Sequence, residues 1–184
     1  MRKQLLIGLI TLSFMLGITR AVPATSYTWT SFDYPGALFT YAHGVNNSGQ
    51  IVGGYSDGST DYGFSLNGGI FTSFNYPGAY YTRANGVSNN GQIVGGYGDG
   101  SGNHGFSRDS GGVFSSIDYP GSYYTWAHGV NNSGQIVGGY YNGSVYRGFL
   151  ATPVAPEPAA WMLFASGLPV LPVVMRRRLK FWKK

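Results

Sequence analysis

A repeated unit of about 42 residues is the feature of this sequence that most limits how the chain can fold. The motif Asp/Asn-Tyr-Pro-Gly occurs three times, at 33–36, 75–78 and 118–121. The longer motif Gly-Gln-Ile-Val-Gly-Gly-Tyr also occurs three times, at 49–55, 91–97 and 134–140. Both motifs advance by 42 and then by 43 residues. Each copy is therefore expected to form one small structural unit whose apolar surface is covered by its neighbours.

Turn residues divide each copy into four short predicted strands. We place the copies at 27–69, 70–112 and 113–152. In the first copy, Pro35-Gly36, the Asn-Asn-Ser-Gly run at 46–49 and Asp57-Gly58 each favour a turn. The strands predicted around these turns are 28–32, 38–45, 50–55 and 62–66. The third is apolar without alternation, so we expect it to be buried on both faces.

The composition favours strands over helices throughout the repeats. The chain has 30 glycines and 9 prolines, which oppose helices, together with many aromatic residues that favour strands. Paired glycines end each predicted buried strand. We expect the second glycine of each pair to lie where a neighbouring backbone comes close; these equivalent residues are Gly54, Gly96 and Gly139.

The predicted fold is an all-β domain over residues 25–153, made of three four-stranded, propeller-blade-like repeats. Units of this length are typical of propeller blades, but propellers usually have about four to eight of them. We therefore expect blades that are incomplete in one chain. The alternatives are a β-trefoil-like closure with threefold pseudo-symmetry, or an open stack whose exposed edges pair with another molecule.

Both ends of the chain carry predicted targeting segments. Arg2 and Lys3 precede an apolar run at 5–18 and then small residues, which predicts a signal peptide over 1–24. The tail at 154–184 has an uncharged stretch at 159–175 and then a basic end at 176–184. The uncharged stretch predicts a transmembrane helix at the short end of the length that crosses a ~30 Å hydrocarbon layer. The positive-inside rule predicts that this basic end stays in the cytoplasm and that the repeats lie outside.

The tail resembles the PEP-CTERM sorting signal of bacterial envelope proteins. The residues that carry the resemblance are the Pro-Glu-Pro triplet and the first arginines of the basic end, namely Pro156, Glu157, Pro158, Arg176, Arg177 and Arg178. The resemblance implies processing by exosortase, a membrane-embedded cysteine transpeptidase. It also implies an inner-membrane-anchored precursor, then a location at the cell surface or in the extracellular matrix, with exopolysaccharide or biofilm as the setting. The alternative interpretation is an ordinary C-terminal membrane anchor.

The repeats resemble the HAF-type extracellular repeat of bacterial exported proteins. Its Gly-Gln-hydrophobic-Val-Gly part matches in all three copies. Its Ala-x-Gly-hydrophobic-Asn part matches at 42–46 and 127–131, and the second copy has Ser88 in place of the asparagine. Its His-Ala-Phe part is altered to Tyr-Gly-Phe, His-Gly-Phe and Arg-Gly-Phe, at 62–64, 104–106 and 147–149. The resemblance implies an extracellular, cell-envelope role.

The charge and the cysteine content exclude two classes of protein. The net charge of +5 comes from the two ends, because residues 25–155 hold three arginines against six aspartates, a net charge of −3. A nucleic-acid-binding domain needs a basic patch on the folded part, so no nucleic-acid partner is expected. The chain has no cysteine, so the exported domain is not a disulfide-stapled scaffold.

The residues that carry chemistry are few and follow the repeat. His43 and His128 are equivalent, with Asn85 between them, which indicates a repeat feature rather than a catalytic site or a metal site. The Asp-Gly-Ser loops at 57–61 and 99–103 weakly resemble calcium loops, but their spacing favours hairpin turns. We therefore predict no catalytic, cofactor-binding or metal-binding residues, no cofactor and no enzyme activity; a secreted hydrolase is the opposing hypothesis.

Aromatic side chains are the candidate ligand surface. In adjacent strand positions only one ring of a tyrosine pair can point inward, so the other is free to stack on a sugar or a protein. The candidate stacking residues are Tyr80, Tyr81, Tyr123, Tyr124 and Trp126. The sequence thus predicts a non-enzymatic envelope or matrix protein associated with exopolysaccharide, and alternatively a carbohydrate-binding repeat module at the cell surface.

Overall fold

A computed structural model describes residues 26–154 of the 184-residue chain. The chain divides between Phe32 and Asp33 into two compact units. The described part of the first unit, 26–32, contains no strand. The predicted signal peptide, the predicted transmembrane helix at 159–175 and the sorting-signal residues Pro156 to Pro158 and Arg176 to Arg178 lie outside the described residues.

The second unit is one open, mixed sheet of 11 strands, and residues 26–154 contain no helix. This confirms the all-β prediction. The strand order is β1-β2-β3-β5-β6-β7-β9-β10-β11, with β4 paired to β3 and β8 paired to β7. The strands are β1 Phe39–Val45, β2 Ile51–Ser56, β3 Asp61–Asn67, β4 Ile70–Phe74, β5 Tyr81–Val87, β6 Ile93–Asp99, β7 Gly102–Arg108, β8 Phe114–Ile117, β9 Tyr124–Val130, β10 Ile136–Tyr141 and β11 Tyr146–Ala151.

Antiparallel pairing groups the strands into three successive units. Unit A is β1 to β4, unit B is β5 to β8, and unit C is β9 to β11. A single parallel residue pair continues the sheet from one unit to the next, Asp61 with Tyr81 and Asn103 with Tyr124. Because β1 and β11 stand at opposite ends of the order, the sheet does not close into a trefoil.

The fourth strand of units A and B comes from the following sequence copy. We predicted that 28–32 and its equivalents would open each copy as its first strand. Instead β4 pairs with β3 of the preceding copy, and β8 pairs with β7. Residues 28–32 form no strand, so this part of the prediction is wrong. The physical reason is that these segments find their antiparallel partner in the preceding copy, and residues 1–26 contain no further copy.

A threonine on the first strand of each unit holds the preceding Tyr-Pro-Gly turn. The hydroxyl groups of Thr40, Thr82 and Thr125 accept hydrogen bonds from the backbone N–H groups of Tyr34, Tyr76 and Tyr119, at 3.0, 2.9 and 3.0 Å. The turn tyrosine then stacks on the tyrosine that ends the Gly-Gly-Tyr motif. The ring centroids are 3.7, 3.6 and 3.8 Å apart in the three units, for Tyr34–Tyr55, Tyr76–Tyr97 and Tyr119–Tyr140.

Burial is deepest in the central unit. Six of the seven residues of β6 are buried, which confirms that this strand is covered on both faces. The core is apolar and includes Phe64 and Phe106, both with no exposed surface. In unit C the equivalent strand β10 is partly open, because Val137 is 50% exposed.

The close backbone approach lies one glycine earlier than predicted. A Cβ atom on Gly53 or Gly95 would lie 1.8 or 2.0 Å from a carbonyl oxygen of the neighbouring strand. The second glycine of each pair does not lie this close to a neighbouring backbone. Gly96 lies against the Trp126 ring, Gly54 lies against the Arg83 side chain, and no atom comes within 3.5 Å of the Cβ position of Gly139. Our prediction of a neighbouring backbone at Gly54, Gly96 and Gly139 is therefore wrong.

Valine at Gly96 is expected to destabilise the fold, since its Cβ would lie 2.4 Å from an atom of the broad Trp126 ring. Overpacking of this kind costs about 1–3 kcal/mol. Gly54→Val is the matched control, because the flexible Arg83 side chain at 3.4 Å can move aside. Urea denaturation should give a clearly lower free energy of unfolding for Gly96→Val than for Gly54→Val. Equal values would contradict close packing by the indole.

Candidate functional site

The residues that the sequence singled out as a His/Asn/His repeat feature lie at β-bulges. The register of β1 against β2 shifts between Ala42 and Gly44, which leaves His43 as the extra residue. The same shift occurs in unit B at Asn85 and in unit C at His128. A bulge locally disrupts the ladder and re-aims the side chain of the extra residue. All three side chains are thereby taken out of the regular alternation of their strands.

The bulged side chain binds the backbone of the next unit. Nδ1 of His43 lies 2.9 Å from the carbonyl oxygen of Ala84. The Nδ2 of Asn85 donates to the carbonyl oxygen of Ala127 at 2.8 Å. Since a carbonyl oxygen only accepts, Nδ1 of His43 must carry the hydrogen. Histidine and asparagine therefore perform the same task at this position, which explains their exchange between copies.

The turn after the bulge makes a second set of contacts between units. Asn46 is buried; its Oδ1 accepts from the backbone of its own turn, and its Nδ2 donates to the carbonyl oxygen of Ser88 at 3.0 Å. The N–H of Asn47 donates to Oδ1 of Asn89 at 2.9 Å. The N–H of Asn89 in turn donates to Oδ1 of Asn132 at 2.9 Å. Every contact runs from one unit to the next in the same direction.

Glycine in the same motif lets the backbones of two units touch. A Cβ on Gly44 would lie 2.8 Å from the carbonyl oxygen of Asn85. A Cβ on Gly86 would lie 2.9 Å from the carbonyl oxygen of His128. The repeated Ala-x-Gly-Val motif is thus the surface through which units join. The 42-residue periodicity was the sequence signal for it, but the sequence did not show that the motif of one unit contacts the same motif of the next unit.

Removing the bulged side chain of unit B is expected to weaken the junction between units B and C. In Asn85→Ala the carbonyl oxygen of Ala127 loses its donor, which costs about 1–2 kcal/mol. Asn85→His is the matched control, because the other two copies carry histidine there. Thermal unfolding should give a lower melting temperature for Asn85→Ala than for the natural protein. Asn85→His should keep a melting temperature close to the natural one. An alanine variant as stable as the natural protein would contradict this role.

The predicted aromatic residues divide into exposed and packed rings. Tyr80 and Tyr123 occupy equivalent positions and are each 68% exposed. Tyr81 and Trp126 stack on each other across units B and C, with ring centroids 6.2 Å apart. Tyr124 stacks on Tyr141 within unit C at 5.9 Å. The five residues therefore form no single cluster, and only Tyr80 and Tyr123 present most of their surface to solvent.

An ion pair beside Tyr81 joins units A and B. Burial raises the pKa of Tyr81, and its hydroxyl donates to Oδ1 of Asn103. The Arg83 guanidinium lies over the Tyr81 ring, 5.8 Å from its centroid. Arg83 also pairs with Asp61, and this hydrogen bond lowers the pKa of that carboxyl group. These charges are neutralised by each other at the junction.

A Ser/His/Asp grouping in unit B was missed by the sequence analysis. Oγ of Ser101 lies 2.9 Å from Nε2 of His104, and Nδ1 of His104 lies 3.0 Å from Oδ2 of Asp118. However, Oγ of Ser101 also lies 2.7 Å from Oδ1 of Asp99, which can only accept. The Asp99 carboxylate therefore competes with the imidazole for the one hydrogen of the Ser101 hydroxyl. Equivalent serines occupy the same turn in the other copies, Ser59 and Ser144.

The loops that weakly resemble calcium sites are hydrogen-bonded turns. Oδ1 of Asp57 accepts from the N–H groups of Ser59 and Thr60 at 2.8 and 2.9 Å, and these bonds lower the pKa of its carboxyl group. The hydroxyl and N–H of Ser101 do the same for Asp99. Within residues 26–154, no group of three or more His, Cys, Asp or Glu side chains is placed to hold a metal ion.

Comparisons of the chain with protein-family models, with curated proteins and with solved structures found no match. Within the described part of the chain, no helix has the length and apolar character needed to span a membrane.

Proposed function

We propose that this chain is a non-enzymatic, exported bacterial envelope or extracellular-matrix protein whose repeats serve as a structural array. The observation that carries the proposal is the use of the repeated polar motif. Four residues of this motif each make a hydrogen bond to the next unit: His43, Asn46, Asn47 and Asn85. Residues repeated in every copy thereby build an extended sheet, as expected of a protein that works through its surface.

The resemblance of the tail to PEP-CTERM signals supports export and sorting. Exosortase is the proposed processing partner, and the segment at 159–175 is the proposed membrane anchor of the precursor. After processing, the repeats would lie at the cell surface or in a matrix that contains exopolysaccharide. The net charge of −3 between residues 25 and 155 suits a protein without a nucleic-acid partner.

Mass spectrometry of the exported protein tests this sorting. We expect the mature C-terminus to lie near the Pro-Glu-Pro triplet, with the basic end removed. Substituting Glu157 or Pro158 should block this processing without preventing membrane insertion, because both lie outside the spanning segment. Neutralising Arg176 to Arg178 should instead weaken retention at the inner membrane. Recovery of protein ending in Phe181-Trp182-Lys183-Lys184 from cells with active exosortase would reduce the tail to a plain anchor.

We further propose that units A, B and C are propeller-blade-like. In units A and B four strands pair in sequence order, and the last strand comes from the following copy. Blades built this way need the first segment of one copy to complete the sheet of another. Three such units are fewer than the four to eight blades usual in a propeller.

The hydrolase hypothesis has one grouping in its favour and a specific argument against it. Ser101, His104 and Asp118 have the order of contacts of a serine hydrolase. A nucleophile must give its proton to the histidine, whereas Oδ1 of Asp99, 2.7 Å from Oγ of Ser101, competes for that proton. We interpret the grouping as a polar network that fixes the turn at 99–103.

Carbohydrate binding is the second candidate function, and the exposure of Tyr80 and Tyr123 favours it. Large, rigid and amphipathic rings stack well on sugar faces. Both rings lie over glycine-containing turns: a Cβ on Gly143 would lie 2.7 Å from the Tyr123 ring, and a Cβ on Gly100 would lie 3.3 Å from the Tyr80 hydroxyl. The two tyrosines repeat at 43 residues, as expected for contacts with a repeating polymer.

Binding to exopolysaccharide tests this second function. If the rings stack on sugars, Tyr80→Ser with Tyr123→Ser should reduce retention on immobilised exopolysaccharide by about tenfold, the equivalent of 1.4 kcal/mol. Tyr27→Ser with Tyr146→Ser is a control of equal size, since these tyrosines are 73% and 74% exposed. Equal losses of retention in the two double variants would mean non-specific adhesion. Unchanged retention of the Tyr80→Ser/Tyr123→Ser variant would remove both tyrosines from the proposed site.

A further inference from the structure

The outer faces of units A and C expose the valines that the inner junctions bury. Val137 of unit C is 50% exposed, whereas its equivalents in units A and B, Val52 and Val94, have no exposed surface. On the opposite face, Val45 of unit A is 66% exposed, whereas its equivalent Val87 is 8% exposed. The two outer faces are thus the two halves of the apolar junction that joins A to B and B to C.

The polar groups of that junction are also available at the two ends. The side chain of His128 is the equivalent of His43 and Asn85, which bind the alanine carbonyl of the next unit. The equivalent carbonyl of unit A is that of Ala42, an exposed residue whose counterparts Ala84 and Ala127 are fully buried. Asn132 N–H and Asn47 Oδ1 form a second matching pair, by analogy with the bonds between successive units.

A third match lies at the second glycine of the Gly-Gly pair. This glycine contacts a side chain of the following unit, Arg83 on Gly54 and Trp126 on Gly96. In unit C the Cβ position of Gly139 has no atom within 3.5 Å. The residue equivalent to Arg83 and Trp126 in unit A is Tyr41, which is 52% exposed.

The edge of β11 lacks the fourth strand that units A and B have, among the described strands. In units A and B the fourth strand contributes a phenylalanine to an aromatic cluster. Phe71 lies 5.2 Å from Tyr34, and Phe114 lies 5.3 Å from Tyr76. Unit C has the corresponding Tyr119, but β10 is the one partner of β11 among the described strands. A depression beside this edge is lined by Ile117, Asp118, Tyr119, Pro120, Phe149, Leu150 and Ala151.

The first copy contains the segment that would fill this position. Trp29 is the counterpart of Phe71 and Phe114 in the alignment of the copies. Its side chain is 88% exposed. The pairing of β3 with β4 places Ser65 opposite Thr72, and that of β7 with β8 places Ser107 opposite Ser115. In the same register, Leu150 of β11 would face Thr30, and Trp29 would face Ala151.

We propose that the outer face of unit C binds unit A of a second copy of this chain, head to tail, and that residues 28–32 of the second copy add a strand to β11. The exposed valines, the polar groups, the match of Gly139 with Tyr41 and the open edge of β11 all require the same order, with unit C followed by unit A. The contact repeats the junctions that already join A to B and B to C. It goes beyond the proposed function, because it does not depend on how the protein is exported or processed.

Such a contact is heterologous, since it joins two different surfaces. It closes into a ring if the rotation between copies allows it, and otherwise gives an open filament. Strand addition to an exposed edge supplies backbone hydrogen bonds, and the side chains that alternate along the strand set the register. Both assemblies contain the contact, so the test addresses the contact itself.

Cysteine cross-linking between two single variants tests the proposal, because the natural chain has no cysteine. Thr30→Cys and Leu150→Cys would place the two thiols opposite each other on neighbouring strands, within disulfide reach. The exported proteins, as recovered from cells, are mixed while reduced and then oxidised. We expect a disulfide-linked dimer that contains one copy of each variant. Tyr80→Cys mixed with Leu150→Cys controls for random collision, since Tyr80 is exposed but belongs to unit B.

The double variant Thr30→Cys/Leu150→Cys distinguishes pairing between chains from pairing within one chain. A cross-linked monomer, together with no dimer in the mixture of single variants, would overturn the proposal in favour of closure within the chain. Dimer formation no greater than with Tyr80→Cys would also overturn it. Neither outcome bears on the export route, which the mature C-terminus reports separately.

Solution mass gives a second measurement that needs no engineered thiol. We expect the mass of the natural protein to rise with concentration, and Trp29→Ser to lose most of this association. Tyr27→Ser is the matched control, because its counterparts Gly69 and Gly112 lie outside β4 and β8. A constant monomer mass for the natural protein, or equal losses in the two variants, would contradict the proposed role of the strand.

Discussion

The close contact between the backbones of successive units is the constraint on which the rest of this sheet depends. It occurs at Gly44 and Gly86, where a Cβ atom would collide with the next unit. Because the backbones come so near, the side chain at the bulge reaches the alanine carbonyl of the following unit, and the asparagine turn reaches its own counterpart. The same approach buries Val52 and Val94 completely. Glycine, bulge and turn are therefore parts of one junction, which explains why the motif that contains them is repeated with so little change.

The sequence predicted the local structure well and the long-range structure less well. Three strands of each unit and their turns follow from short patterns such as Tyr-Pro-Gly and Asn-Asn-Ser-Gly, which act within a few residues. The assignment of 28–32 and its equivalents as the first strand of each copy was wrong, although a signal for the pairing of β4 with β3 was present. Gly68 and Gly69 both have positive φ, of 57° and 82°, and form the hairpin turn between β3 and β4. We had treated this turn as a boundary between copies, whereas it joins two strands of one unit.

In the candidate site, too, the sequence indicated the residues but not their contacts in the next unit. The exchange of histidine and asparagine at 43, 85 and 128 indicated a repeat feature, and all three residues lie at equivalent β-bulges. Its acceptor lies about one repeat further along the chain, at Ala84 or Ala127, and no pattern within one copy points to a carbonyl in the next. The exposure of the candidate aromatic residues was also beyond prediction from one copy. Tyr81 and Trp126 contact each other across a junction, so their burial depends on neighbours that a single copy does not contain.

A stack in which every unit contacts the next in the same way has two different ends. Repeat proteins usually cover these ends with atypical, polar capping repeats, because an uncapped junction exposes apolar surface. Here the end units keep the junction residues: Val45 and Tyr41 at one end, Val137 and Gly139 at the other. Among the described strands unit C has no fourth strand, and Trp29 is exposed, which continues this pattern. Each described end thus exposes groups that the opposite end would cover, so the association of copies that we propose would use the same contacts that join units within one chain.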